Sequence, residues 1–209
     1  MGKDKECCGG EGHHHHDHEH GEGGCCRGEG GSGRCKNKVK VGQPAPCFTA
    51  TALCCGEDKT VSLKDYRGKW LFLYFYPLDF SGVCQTDVAH VDAKRAEFEA
   101  LGCEVVAAST DSMYSHRAWA EKEPAVGAVK HPLISDGSHC LAKAYGVLLP
   151  DMGVALRGSF LIDPDGVLQW SQVNSLHVGR NVSEVLRVLS ALKTGGFTPC
   201  DWQPGEKTL

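Results

Sequence analysis

The chain has 209 residues, 41% of them hydrophobic and 23% charged, with a formal net charge of −4 at pH 7. That is enough for one ordinary domain with a core plus an extra segment, and the slight acidic excess argues against nucleic acid or an anionic membrane surface as a partner. No apolar run approaches the roughly 20 residues of a membrane-spanning helix, and the N-terminal MGKDKECCGGEGHHHH lacks the apolar stretch of a secretory signal. The expected compartment is therefore the cytoplasm. Twelve cysteines are many for this length. Without a secretory signal they point to thiol chemistry or metal binding rather than to a disulfide scaffold.

Residues 1–38 stand apart. They are rich in glycine, carry the pairs Cys7-Cys8 and Cys25-Cys26, and hold almost no aliphatic side chain before Val39. Too little apolar surface is available to offset the entropy of ordering, so this segment is predicted to be disordered and the domain to run from 39 to 209. His13, His14, His15, His16, His18 and His20 crowd into eight residues with Asp17 and Glu19 between them. Such a tract is a flexible chelator, from which loose binding of a divalent ion such as zinc, nickel or copper is expected.

From Val41 the text becomes globular. Trp70–Tyr76 (WLFLYFY) is a continuous apolar run closed by Pro77, the pattern of a strand buried on both faces. After the loop LDFSGV, a helix is predicted from about Cys84 to Leu101, with Val88, Val91, Phe98 and Leu101 on one face. A strand is predicted at Glu104–Ser109 and a helix near Tyr114–Glu123, stopping before Pro124. Phe160–Ile162 and Val167–Ser171 flank Asp163-Pro164-Asp165-Gly166, a turn sequence that predicts a β-hairpin. Val182, Val185, Leu186, Leu189 and Leu192 trace a last amphipathic helix ended by Gly195-Gly196. The order of elements predicts an α/β layered domain with a mixed sheet. Cys103 and Cys140 are expected to be core residues, and Cys54-Cys55 to lie in a turn before Gly56.

The segment from Pro77 to Cys84 carries the chemistry. It places a cysteine in the first turn of a helix that follows a buried strand, where unpaired N–H groups and the helix dipole favour an anion and thus a thiolate. Ser81 is placed to offer a hydroxyl to that sulfur or to a bound oxygen, and Gly82 lets the backbone approach a small ligand. From position alone, Cys84 reads equally as an activated thiol or as a small buried hydrophobe.

The segment FYPLDFSGVCQTD resembles the active-site motif of the peroxiredoxins, in the alkyl hydroperoxide reductase C and typical two-cysteine branch. Pro77, Ser81 and Cys84 match its Pro-x-x-x-Thr/Ser-x-x-Cys element. The resemblance extends from Val41 to Leu209, through Asp111–His116 with Trp119, Arg157–Asp163, and Cys200 with Trp202 and Gly205. It implies a thioredoxin-like fold, a mixed central sheet flanked by helices, and a peroxidase for hydrogen peroxide and organic hydroperoxides that needs no cofactor. It further implies that Cys84 is the peroxide-reducing thiolate, that Arg157 stabilises it and the transition state, that Ser81 bonds the peroxide or sulfur, and that Pro77 shields the site. Cys200 would resolve the resulting sulfenic acid as a disulfide from the partner subunit. The assembly would then be a homodimer, or a decameric ring of such dimers, recycled by a thioredoxin or a dedicated flavoprotein reductase.

Gln85 and Asp87 stand where the family normally has Pro and Glu, the longer Glu helping to orient the active-site network, and Cys200 and Trp202 lie closer together than usual. The chain also ends without the family's Tyr-Phe tail and has no Gly-Gly-Leu-Gly element, from which resistance to overoxidation is expected. Two other classes compete with the peroxidase. One is a metal-binding protein acting through the histidine tract. The other is a thiol–disulfide oxidoreductase, which would want a cysteine where Ser81 stands.

Overall fold

The structure, a computed structural model, describes residues 39–209. The histidine tract and the pairs Cys7-Cys8 and Cys25-Cys26 lie outside the described residues, and with them the expectations of disorder and of metal binding by the tail.

The elements run in chain order as β1 (Thr49–Cys54), β2 (Glu57–Ser62), β3 (Trp70–Phe75), α1 (Gly82–Ala93), α2 (Arg95–Ala100), β4 (Cys103–Ser109), α3 (Met113–Lys122), α4 (Pro124–Gly127) and β5 (Leu133–Ser135). They continue as α5 (Cys140–Ala144), β6 (Leu148–Leu149), β7 (Val154–Ala155), β8 (Arg157–Ile162), β9 (Leu168–Asn174) and α6 (Val182–Thr194). Seven strands form one sheet in the order β2-β1-β5-β4-β3-β8-β9. β3 pairs parallel with β4 and antiparallel with β8, so the most apolar strand has neighbours on both edges.

Its alternation builds two cores. Leu71, Leu73 and Phe75 face a cluster that includes Phe48, Leu141, Tyr145 and Phe160. Phe72, Tyr74 and the following Tyr76 face another, filled by Val88 and Val91 of α1, Phe98 of α2, Trp119 of α3 and Val185 and Leu189 of α6. The sheet is thus mixed, with helices on both faces, and the class expected from the sequence holds.

The hairpin expected at 160–171 is present as β8 and β9. Asp163 accepts from Asp165 N–H and Val167 N–H through its side chain, and Gly166 adopts φ +77, which suits glycine. α6 ends on Gly195 at φ +67, as its sequence signals.

Two expectations need correction. The single helix predicted from Cys84 to Leu101 is broken at Lys94 into α1 and α2. No glycine or proline marks the break. It accompanies tertiary contacts of Asp92, whose carboxylate accepts Lys130 N–H and meets His131 Nδ1. Cys140 is exposed rather than core, because it opens α5 and only Leu141 and Ala142 turn inward. The β1–β2 hairpin and the short β5 carried no sequence signal strong enough to be placed. Among the described residues no helix is long and apolar enough to cross a membrane.

Leu73 is wholly buried in the middle of the central strand. Leu73→Ala is expected to lower the unfolding free energy by about 2–5 kcal/mol, read from urea denaturation.

Candidate active site

The loop that leaves β3 is held tightly before it reaches the cysteine. Tyr76 Oη donates to Asp79 Oδ1 at 3.0 Å, His116 Nδ1 lies 2.8 Å from Asp79 Oδ2, and Asp79 N–H donates to Asp111 Oδ2 at 2.9 Å. Burial and the Asp79 charge raise the Asp111 carboxyl above the ordinary range. Pro77 is buried in this loop, and Phe80 takes a left-handed φ of +58 as the chain turns toward α1. Ser81 is the N-cap of α1, yet its hydroxyl makes no capping hydrogen bond. The hydroxyl is therefore not committed to the helix.

Cys84 follows in the first turn of α1, fully buried. Arg157, the first residue of β8, reaches it because β8 lies beside β3: its Nη1 stands 3.4 Å from Cys84 Sγ. The same Nη1 donates to Asp87 Oδ2 at 2.9 Å, and Nε donates to the Leu176 carbonyl at 3.1 Å. Asp87 lies three residues after Cys84, on the same face of the helix. Despite its short side chain it meets Arg157, so the departure from Glu at this position does not remove the contact. Gln85 points elsewhere and bonds Glu123.

A second arginine completes the cluster. Arg180 N–H donates to Asp87 Oδ1 at 3.2 Å, and its guanidinium donates to the carbonyls of Phe75 (2.6 Å) and Gly158 (3.2 Å) and to Ser159 Oγ (3.1 Å). The guanidinium also sits 4.4 Å from the centre of the Tyr74 ring. Burial draws Arg180 below the usual guanidinium value, with Asp87 opposing that shift. Two guanidinium groups against one carboxylate leave one uncompensated positive charge around the sulfur. That balance stabilises negative charge developing on an oxygen bound there.

Behind Tyr74 the hydrogen bonds continue. Its hydroxyl is 2.7 Å from His131 Nε2, and His131 Nδ1 is 3.2 Å from Asp92 Oδ1. Burial lowers the His131 pKa below the usual histidine value of 6.5, only partly offset by Asp92.

Cys84, Arg157 and Pro77 are all buried, and Arg157 is brought against Cys84. Cys200 does not join them. It is an exposed free thiol in the turn after α6, in a segment fixed by the buried Trp202, whose indole donates to the Glu206 carbonyl. Arg180 was missed as a member of the cluster, whereas Asp87 stood in the sequence as the shortened counterpart of the family's Glu. Arg180 sits in the loop before α6, where nothing in the local sequence sets it apart from a solvated arginine. Cys103 is buried in the core and its thiol is pushed up to about 12 by burial, in line with a packing role. Among the described residues no group of three or more His, Cys, Asp or Glu side chains could hold a metal ion.

Asp87→Asn would leave two buried arginines without their anion. The unfolding free energy is expected to fall by about 3–5 kcal/mol. Peroxide reduction, read by stopped-flow consumption of hydrogen peroxide, should slow at least about tenfold. His131 supplies a pH test. Its folded pKa lies below its unfolded one, so the unfolded chain takes up the proton first as pH falls. Stability should be full above about pH 6.5 and decline below it, and His131→Gln should flatten that part of the profile in thermal melts from pH 7.5 to 5.

Residues 41–171 match the AhpC/TSA family. The chain is 47% identical over 176 residues to the thioredoxin peroxidase of Echinococcus granulosus, covering 81% of this chain and 91% of that protein. It is 44% identical to the chloroplastic 2-Cys peroxiredoxin of Hordeum vulgare, over 81% of this chain and 84% of the other. Among solved structures, the reduced 2-Cys peroxiredoxin of Plasmodium vivax superposes with a TM-score of 0.78 at 37% identity, over 80% of this chain and 91% of that one. AhpC of Enterococcus faecalis superposes with a TM-score of 0.73 at 36% identity, over 75% of this chain and 93% of that one. A buried cysteine at a helix start beneath an arginine, on this sheet and with these relatives, makes the chain a member of the AhpC/TSA family of peroxiredoxins and a thiol-dependent peroxidase.

Proposed function

We propose that Cys84 is the thiolate that cleaves the peroxide and that Cys200 of the partner subunit resolves it. The observation that carries this reading is the buried Arg157 Nη1, 3.4 Å from Cys84 Sγ and held in place by Asp87. The thiolate attacks one peroxide oxygen, the O–O bond breaks, and the leaving oxygen departs as water or an alcohol once protonated. Cys84 becomes a sulfenic acid. Arg157 stabilises the negative charge that grows on oxygen, and Ser81, with its hydroxyl uncommitted to the helix, hydrogen-bonds the substrate. Pro77, buried in the loop, keeps bulk water from the sulfur.

The Cys200 thiol then attacks the sulfenic sulfur, a disulfide forms and water leaves. A dithiol protein of the thioredoxin type or a flavoprotein reductase restores both thiols. Exposure of Cys200 supports access to such a reductant. The intersubunit step calls for a homodimer, and a ring of dimers is its natural extension.

Stopped-flow measurement of peroxide consumption tests the reading. Cys84→Ser should lose about three orders of magnitude or more of the rate with an unchanged melting temperature. Cys200→Ser should consume one equivalent of peroxide per subunit, accumulate a sulfenic acid that dimedone traps at Cys84, and then stall with a thioredoxin-type reductant. Removal of residues 1–38 should leave turnover intact. Retained activity in Cys84→Ser, or its loss on removing 1–38, would sink the assignment in favour of a metal-dependent role for the tail.

A further inference from the structure

Cys54 and Cys55 take no part in the peroxide chemistry, and their placement is unlike that of two independent core thiols. Cys54 ends β1 and pairs with Glu57 at the start of β2, so Cys55 and Gly56 form a two-residue hairpin turn. Both corners are left-handed, with φ +55 at Cys55 and +82 at Gly56. This turn favours Asn-Gly or Asp-Gly, because most other side chains are strained at positive φ. A cysteine at the first corner gives up local stability, and departures of this kind mark positions kept for function.

The strain has a geometric result. Along a regular strand, successive side chains point to opposite faces and two adjacent thiols cannot share a partner. Here the left-handed corner brings the Cys55 thiol back to the side of Cys54. Both sulfurs meet one acceptor, the Lys130 carbonyl oxygen, at 3.5 Å from Cys54 Sγ and 3.9 Å from Cys55 Sγ. Both are free thiols, one buried and one exposed. Burial and the adjoining Cys55 thiol raise Cys54 above its usual value.

We propose that Cys54-Cys55 is a dithiol binding site for trivalent arsenicals, soft centres that exchange oxygen ligands for sulfur. The exposed Cys55 sulfur engages first and the anchored Cys54 sulfur closes the ring. Two As–S bonds form and the arsenic–oxygen bond breaks. The two thiol protons leave with that oxygen as one water, arsenic stays trivalent, and no oxidant or reductant is needed. Adjacent sulfurs make the second bond intramolecular, which is the source of affinity over a single thiol. A direct disulfide between neighbouring residues would instead distort the peptide that joins them.

The test uses the reduced full-length chain with one equivalent of phenylarsine oxide, followed by tryptic digestion and mass spectrometry. The expected product is a single phenylarsine bridging Cys54 and Cys55 on the peptide 41–59. It should survive excess 2-mercaptoethanol and be released by 2,3-dimercaptopropanol. Cys55→Asn suits the left-handed corner, so it should melt higher than the parent and keep peroxidase activity, while capture at this peptide weakens about a hundredfold or more. Cys54→Ser should lose capture equally. An adduct found only on other cysteines, release by the monothiol, or undiminished capture in Cys55→Asn would each overturn the proposal.

Discussion

A single buried carboxylate, Asp87, shared between two buried guanidinium groups, is the constraint around which the site is arranged. Charges this deep are tolerated only when nearly every polar atom finds a partner. Arg157 and Arg180 find theirs in Asp87 and in backbone carbonyls of β3, of β8 and of the Leu176 segment. Those acceptors lie together only because β8 runs antiparallel beside β3. The pairing of these strands, the entry of α6 through Arg180, and the face that α1 turns inward are therefore mutually dependent. Gly158 belongs to the same constraint. A Cβ there would lie 2.7 Å from both the Phe160 ring and Val147, between Arg157 and Ser159, so substitution would press on the strand that aims Arg157.

The loop between β3 and α1 is governed by a separate set of bonds. Asp79 receives Tyr76 and His116 from one side and is tied through its own N–H to Asp111 on the other. The Arg157–Asp87–Arg180 cluster thus sets the charge around the sulfur, while Asp79 and its partners set where the chain emerges from the sheet. His131 and Asp92 stand behind Tyr74 and give the Arg180 side of the site a polar support inside an otherwise apolar layer.

Much of this was readable in the sequence because local rules and the fold agree. The WLFLYFY run, the DPDG turn and the Gly-capped last helix each follow a short-range preference that the tertiary structure leaves untouched. The place of Cys84 at a helix start was readable too, but that position alone reads equally as an activated thiol or a buried hydrophobe, and only the surrounding motif weighs between them. The break at Lys94 was not readable, since the local sequence is helical throughout and the break coincides with tertiary contacts of Asp92 to Lys130 and His131. Arg180 was not readable either. Its role depends on carbonyls from Phe75 and Gly158, distant in sequence, and an arginine in a loop gives no sign of being buried. Asp87 was visible only as a shortened side chain. That Arg157 comes near enough to meet it is decided by the neighbouring strand, which no local pattern records.

The bare N-cap of α1 has a consequence for timing. Because the Ser81 side chain ties down none of the free N–H groups, the first turn of the helix has no capping bond to hold it shut. Cys84 is fully buried and Cys200 fully outside the cluster, so a bond between such sulfurs requires one of them to travel. For the disulfide step proposed above, the uncapped turn is the segment expected to move at least cost, since the rest of α1 is packed through Val88 and Val91. The lifetime of the oxidised sulfur would then be set by how often one helical turn opens, rather than by the reactivity of either thiol.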